Sequence, residues 1–270
     1  MKKAATTTTK LPGVVYSHLE TQRVIGEQFI AEHGLCYIVS GSLKVDDGSK
    51  ATVFGEEELV FYRKNFLAKF TKQPGEKGHF RSVTVIFDTN SLQEYNKQYL
   101  VNLEEPLVDK SPVLQLKSNL LLKNYFKTLL PYFDTSLPTE LISLKRQEGL
   151  MLLLQIKPQL KNVLFDFGQP GKIDLEVYMQ EHFHFNISMD RFAYLTGRSL
   201  SSFKRDFQKV FNTTPNRWLQ QRRLEEAHYL IREKKKRPSD VYHEVGFETF
   251  SHFSYSFKQF YGINPSTVHN

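Results

Sequence analysis

The run Leu195-Thr196-Gly197-Arg198-Ser199-Leu200-Ser201-Ser202-Phe203-Lys204-Arg205-Asp206-Phe207-Gln208-Lys209-Val210-Phe211 recurs in outline fifty positions later, as Val245-Gly246-Phe247-Glu248-Thr249-Phe250-Ser251-His252-Phe253-Ser254-Tyr255-Ser256-Phe257-Lys258-Gln259-Phe260-Tyr261. Phe203 aligns with Phe253, Phe207 with Phe257, Phe211 with Tyr261 and, further on, Pro215 with Pro265. Aromatics at i, i+4 and i+8 make one stripe of a helix, and each of these helices follows a Gly-containing turn. Ahead of each turn the pattern predicts a short amphipathic helix, 188–195 and 238–245. Ser188 and Ser239 stand where N-caps belong, each with an acid in the following turn. A short helix, a tight turn and a second helix with a buried aromatic edge form a unit that can lay its second helix in a DNA major groove. One copy of this pattern also describes an ordinary helical core. Two copies at a fixed offset, 188–211 and 238–261, in a basic segment point to DNA.

From about 187 to 268 the chain resembles the DNA-binding domain of the AraC family of bacterial transcription regulators. The residues that carry the likeness are Gly246-Phe247, Ser251-His252-Phe253, Phe257-Lys258-Gln259-Phe260-Tyr261-Gly262 and Asn264-Pro265. In the first unit they are Phe203-Lys204-Arg205-Asp206-Phe207 and Pro215. The resemblance implies a double helix-turn-helix binding promoter DNA, an RNA polymerase partner and, in many relatives, a cupin-like N-terminal barrel. Tyr242 departs from the family, which usually has Ala there. So does Tyr255, where Arg or Lys is common.

Positions 216–234, apolar on one side through Trp218, Leu219, Ala227, Leu230 and Ile231, predict a long helix joining the units. To enter successive major grooves on one DNA face, the two recognition helices must stand about 34 Å apart. On the first helix Ser201, Ser202, Lys204, Arg205 and Gln208 face away from the aromatic stripe. Arg205 is the leading base reader, since its fork matches O6 and N7 of guanine, and Lys204 serves either base or phosphate. Ser199 and Ser202 are placed to donate to phosphate at the helix N-terminus. On the second helix Phe250, Ser251, His252, Ser254, Tyr255 and Lys258 are the DNA-facing candidates. With Tyr255 in place of an Arg, this unit is expected to supply affinity more than sequence reading. Arg217, Arg222, Arg223 and the run Lys234-Lys235-Lys236-Arg237 are candidates for backbone contact, against the plain alternative of a solvated surface.

The chain has 270 residues and a net charge of +7, and residues 172–270 hold 15 Lys plus Arg against 11 Asp plus Glu. That balance suits a polyanion partner and also an ordinary basic protein. A single cysteine, Cys36, excludes an intrachain disulfide, and its apolar run 35–39 reads as a buried strand. The N-terminus lacks the apolar stretch of a signal peptide and nothing approaches a membrane span, so a cytoplasmic protein is expected.

The fold class expected is α+β. Residues 1–10 read as a disordered tail and 11–88 as short strands at 14–19, 27–32, 35–40, 42–45, 50–54, 58–63, 66–71 and 82–87. These suggest a small sandwich or cupin-like barrel that senses a small molecule or a regulatory protein. Residues 89–164 read as helices at 90–103, 112–133 and 139–156, with homodimerisation expected through 112–156. A linker at 165–171 and the DNA-binding domain at 172–270 complete the chain. A cupin-type metal enzyme needs several His plus a carboxylate on one interior face. Only His18, His33 and His79 lie in this half, none in a His-x-His pair. No metal, cofactor or catalytic residue is expected, and a non-specific nucleic-acid-binding protein remains the other alternative.

Overall fold

The computed structural model describes residues 6–24, 28–102, 109, 111–117, 119–135 and 138–268. Residues 1–5 of the expected tail, the start of the strand expected at 27–32, and residues 269–270 lie outside these. The chain divides into two compact units, residues 1–25 with 30–168 and residues 26–29 with 169–270.

The first part of the chain runs β1 (Thr6–Leu11), β2 (Val14–Leu19), β3 (Arg23–Val24), β4 (Phe29–Ile30), β5 (His33–Ser40), β6 (Ser42–Asp46), β7 (Ala51–Phe54), β8 (Leu59–Tyr62), β9 (Phe66–Leu67), β10 (Lys69–Gln73), β11 (Phe80–Phe87), α1 (Thr89–Tyr99), β12 (Val113–Leu116), α2 (Leu120–Leu129), α3 (Thr139–Ile156) and α4 (Lys161–Leu164). A six-stranded sheet has the order β1-β2-β11-β5-β8-β12, a four-stranded sheet the order β3-β10-β6-β7, and β4 pairs with β9. The expected sandwich or barrel is thus two layered open sheets of cupin-like kind; among the described residues no pairing closes the ring.

The central strand β5 explains the layering. Alternate side chains of a strand point to opposite faces, so a strand covered on both sides must be apolar throughout. Leu35 and Tyr37 join Leu59, Phe61, Val83, Val85 and Phe87 against Leu122 and Phe126 of α2 and Ile142 and Leu153 of α3. Cys36 and Ile38, on the other face, meet Leu43 and Val45 of β6 and Phe54 of β7. The six-stranded sheet is the middle layer, with helices on one face and the smaller sheet on the other. Cys36 is a free, buried residue, as its apolar run implies.

Three expectations are corrected. Residues 6–10 are not a disordered tail: they begin β1, paired antiparallel with β2 from Thr6↔Leu19 to Leu11↔Val14. The Thr run is polar, but β-branched residues suit a pleated edge. Residues 112–133 are not one helix: Val113 to Leu116 form β12, paired with β8. The physical cause is alternation, with Leu114 and Leu116 both buried in the sheet core. Asn119 then caps α2 through its side-chain oxygen, which accepts from the Leu121 and Leu122 N–H groups. Finally, Phe165 of the expected linker is buried with the first unit, whose boundary falls after 168.

The second unit comprises α5 (Leu175–His182), α6 (Met189–Leu195), α7 (Leu200–Phe211), α8 (Pro215–Arg232), α9 (Pro238–Glu244) and α10 (Phe250–Tyr261). Its core is in two parts. One gathers Leu175, Met179, Phe192, Phe203, Phe207 and Leu219; the other gathers Leu224, Ala227, Ile231, Val241, Val245, Phe253 and Phe257. α8 belongs to both, and its 18 residues span about 27 Å at 1.5 Å per residue.

Candidate nucleic-acid interface

The two helix-turn-helix units are built alike, and the fifty-residue repeat is visible atom by atom. In the first, the Ser199 hydroxyl caps α7 by accepting the Ser202 N–H at 3.2 Å. In the second, Thr249 caps α10 by accepting the His252 N–H at 3.3 Å. α7 ends on Asn212 and α10 on Gly262, both left-handed with φ of 52° and 74°, the conformation that lets the chain leave a helix sharply. Between them the aromatic stripe forms a ladder: Phe203 to Phe207 at 5.6 Å and Phe207 to Phe211 at 4.3 Å in α7; Phe253 to Phe257 at 5.6 Å and Phe257 to Tyr261 at 4.8 Å in α10. α8 closes both ladders, with Trp218 4.6 Å from Phe211 and His228 4.7 Å from Tyr261. Phe203, Phe207, Phe253 and Phe257 are fully buried, each contributing about 1.5–3 kcal/mol.

The first helices of the pairs differ in their starts. Ser188 caps α6, accepting the Arg191 N–H at 3.4 Å. Ser239 does not cap α9: Arg237 holds the cap position and Pro238 opens the helix. A proline with φ already near the helical value can start a helix with no donor to satisfy, which displaces the cap expected one residue later. The turns rest on Gly197 at φ 67° and Gly246 at φ 99°.

Charged groups then fix which side of α7 is free. Arg198, its side chain only 8% exposed, donates to Asp206 at 3.1 Å and to the carbonyls of Ile173 and Thr196 at 3.0 and 2.7 Å. Lys172 also reaches Asp206, at 3.5 Å. The Arg198 guanidinium, with Lys172, holds the Asp206 carboxyl below the ordinary carboxylate range. Asp206 is thereby turned toward the protein. Arg205 comes no nearer to it than 3.9 Å and leaves 68% of its side chain exposed.

The predicted residues of α7 mostly share that free face: Ser199, Ser201, Lys204, Arg205 and Gln208 are exposed and Ser202 is half-buried. Lys209, also exposed, stands at i+4 from Arg205 and belongs to the same face; that spacing is the signal that could have found it. On α10, Phe250, Ser251, His252, Tyr255 and Lys258 are exposed and Ser254 is half-buried. Tyr255 is 67% exposed, whereas Ser256 is buried. Phe250 is only partly free, since it packs against Tyr242 at 5.7 Å. Tyr242 therefore fits at the edge of the second core, bridging the end of α9 and the start of α10.

On α8 the predicted cations part company. Arg217 is exposed near the helix start. Arg222 lies over the Phe183 ring at 4.7 Å and near Glu226 at 3.6 Å. Arg223 is engaged within the protein as a structural clamp. Its guanidinium donates to the Phe183 carbonyl at 2.8 Å, Phe185 at 2.7 Å and Gly246 at 3.0 Å. Burial lowers its pKa to about 10, so it stays charged at neutral pH. The basic run before α9 is largely engaged: Lys236 pairs with Glu244 at 2.7 Å and Arg237 with Asp240 at 2.8 Å, while Lys234 lies over the Tyr229 ring at 5.7 Å.

Residues 192–270 match the family model of a helix-turn-helix domain, and residues 33–164 that of the ExsA N-terminal regulatory domain. The chain is 26% identical over 241 residues to the HTH-type transcriptional regulator ExsA of Pseudomonas aeruginosa, covering 87% of this chain and 85% of that protein. It is 24% identical over 246 residues to the virulence regulon transcriptional activator VirF of Yersinia enterocolitica, covering 88% and 90%. Among solved structures, that of an apo ToxT point variant from Vibrio cholerae aligns at 14% identity over 96% of this chain and 97% of the other, with a TM-score of 0.48. Among the described residues no helix is long and apolar enough to cross a membrane, and no cluster of three or more His, Cys, Asp or Glu is placed to hold a metal ion.

Proposed function

We propose, on the premise that this chain belongs to the AraC family of DNA-binding transcription regulators, that it activates transcription by laying α7 and α10 in successive major grooves of promoter DNA. The observation that carries this reading is the exposed polar face of α7, with Lys204, Arg205, Gln208 and Lys209 free of the core that buries Phe203 and Phe207. Arg205 reads guanine by its two-pronged fork, and Lys204, Lys209 and Arg217 contact phosphates. The hydroxyls of Ser199, Ser201 and Ser202 meet phosphate near the α7 N-terminus, where the helix dipole favours an anion. α10 meets the second groove with Ser251, His252, Tyr255 and Lys258, gaining affinity from phosphate and thymine-methyl contact more than from base-specific hydrogen bonds. Because α8 takes part in both cores, the spacing of the two reading helices is rigid.

Activity as an activator follows the names of the relatives, and RNA polymerase is the protein partner that this implies. The first unit supplies regulation, through a small molecule or a regulatory protein, in the cytoplasm. A homodimer forms through 112–156, where Leu120, Leu121 and Met151 are exposed. That surface is smaller than the leucine count suggests, since Leu122, Leu129, Leu150 and Leu153 are buried in their own unit.

Footprinting of the full chain on duplex from upstream of its own gene tests the reading. Two protected segments about 10 bp apart, centre to centre, are expected for one subunit. A single protected segment per subunit would remove the second unit from the interface.

A further inference from the structure

The facing sides of α1 and α3 enclose a groove of about 620 Å³, within the range of small-molecule sites. Its floor is apolar: Phe87 and Leu150 are buried there, with Tyr95 half-buried above them. Its rim carries two carboxylates, Glu94 on α1 and Glu140 on α3, both exposed. Ser91, Glu94, Tyr95 and Gln98 fall at i, i+3, i+4 and i+7, so one continuous helix face lines the groove.

Among the described residues that line it, the one cation, Arg146, is already committed. It donates to the Ile86 carbonyl through Nε at 3.1 Å and through a terminal nitrogen at 2.8 Å, and to Ser91 at 3.1 Å. It also pairs with Asp88, whose carboxyl is held below its ordinary range by the Ser91 N–H and by Arg146. With Arg146 neutralised by Asp88, the groove presents the net charge of Glu94 and Glu140.

We infer that this groove binds an organic cation, an ammonium group between Glu94 and Glu140 with an alkyl or aryl body on Phe87, Tyr95 and Leu150. An ammonium has three donors and no acceptor, which suits a rim that carries two carboxylates, and an apolar body removes the floor from water. A carboxylate ligand of the same shape meets only like charge at the rim. Such a ligand touches both the helix that follows β11 of the six-stranded sheet and the helix within the proposed dimer region. The inference deepens the reading of the first unit as the regulatory half by naming an effector class and its site.

Isothermal titration of the full chain with 4-phenylbutylammonium and, separately, 4-phenylbutyrate tests it, without DNA, so that its failure is independent of the DNA-binding reading. The amine is expected to bind with a Kd below about 1 mM and the acid not to bind. Glu94→Gln with Glu140→Gln, both exposed substitutions, is expected to weaken the amine about tenfold or more while leaving the thermal unfolding midpoint in place. Ser143→Phe, which fills the groove from its α3 side, is expected to abolish binding. Equal binding of amine and acid, or amine binding indifferent to all three substitutions, overturns the inference. So does a change in solution mass with the Gln variants in place of a change in amine affinity, which would make the groove a contact between copies.

Discussion

Arg223→Ala tests the physical account of how the two helix-turn-helix units are held in one frame. The guanidinium is the donor for three main-chain carbonyls, two in the segment after α5 and one at the turn of the second unit. Removing it leaves these acceptors unpaired, at a cost of about 1 kcal/mol or more each, so about 3 kcal/mol in all. The guanidinium itself no longer has to be desolvated, which is why the lower figure per carbonyl applies. For a two-state domain of this size, that loss moves a urea midpoint down by about 1–3 M. The chain has one tryptophan; Trp218 packs on Phe211 and Phe207, so its fluorescence follows the first core through the transition. Arg222→Ala is the control, with a cation–π contact worth about 0.5–1 kcal/mol. If Arg223→Ala lowers stability by no more than Arg222→Ala, the carbonyls are satisfied without Arg223 and the clamp is no clamp.

Other substitutions separate frame from surface. At Gly246 a Cβ would meet the His184 carbonyl at 2.7 Å and Arg223 Nε at 2.9 Å, at φ 99°; Gly246→Ala is expected to cost about 2 kcal/mol or more, and a loss under about 0.5 kcal/mol by the same urea assay would contradict the turn geometry. Tyr255→Ala, at a side chain outside both cores, should leave stability within about 0.5 kcal/mol and weaken promoter and scrambled duplex alike, by about 3–10-fold; a selective loss on promoter would make Tyr255 a base reader. His33 is buried against Phe61, its Nδ1 accepting the Lys64 N–H at 3.2 Å, and burial takes its pKa down to about 3. Below about pH 6.5 the unfolded chain binds a proton that the folded one refuses, so this contribution is present above 6.5 and is lost as pH falls toward 3, at up to about 1.4 kcal/mol per pH unit. His33→Phe should flatten that acid slope; an unchanged slope would assign it to other groups.

The parts of the structure legible in the sequence are those whose cause is local. Phe203, Phe207, Phe253 and Phe257 announce themselves by helical spacing, and Ser188 by its place before an acidic first turn. β5 is legible because a run apolar at every position has to be covered on both faces. What escaped was decided by tertiary contact. Val113 to Leu116 adjoin a leucine-rich stretch that also fits a helix, and only pairing with β8 makes them a strand. The Thr run of β1 is polar enough to read as tail until β2 offers it an edge. Arg223 sits between Arg222 and Leu224 in a charged helix, and no spacing distinguishes a buried guanidinium from a solvated one. The same is true of Arg198, whose hold on Asp206 clears the α7 surface for Arg205. The basic run 234–237 reads as an open surface because the partners of Lys236 and Arg237, Glu244 and Asp240, lie on the following helix.

The measurement closest to the central claim is the ratio of full-chain affinity for upstream duplex to that for scrambled duplex at one fixed salt concentration, with and without Arg205→Ala. A bidentate guanine contact is worth about 1–3 kcal/mol of discrimination, so the substitution should reduce the ratio by about 5- to 150-fold while scrambled-duplex affinity falls only by the loss of one charge. A ratio near one in the unsubstituted protein, or a ratio that Arg205→Ala leaves intact, would contradict sequence reading by the free face of α7.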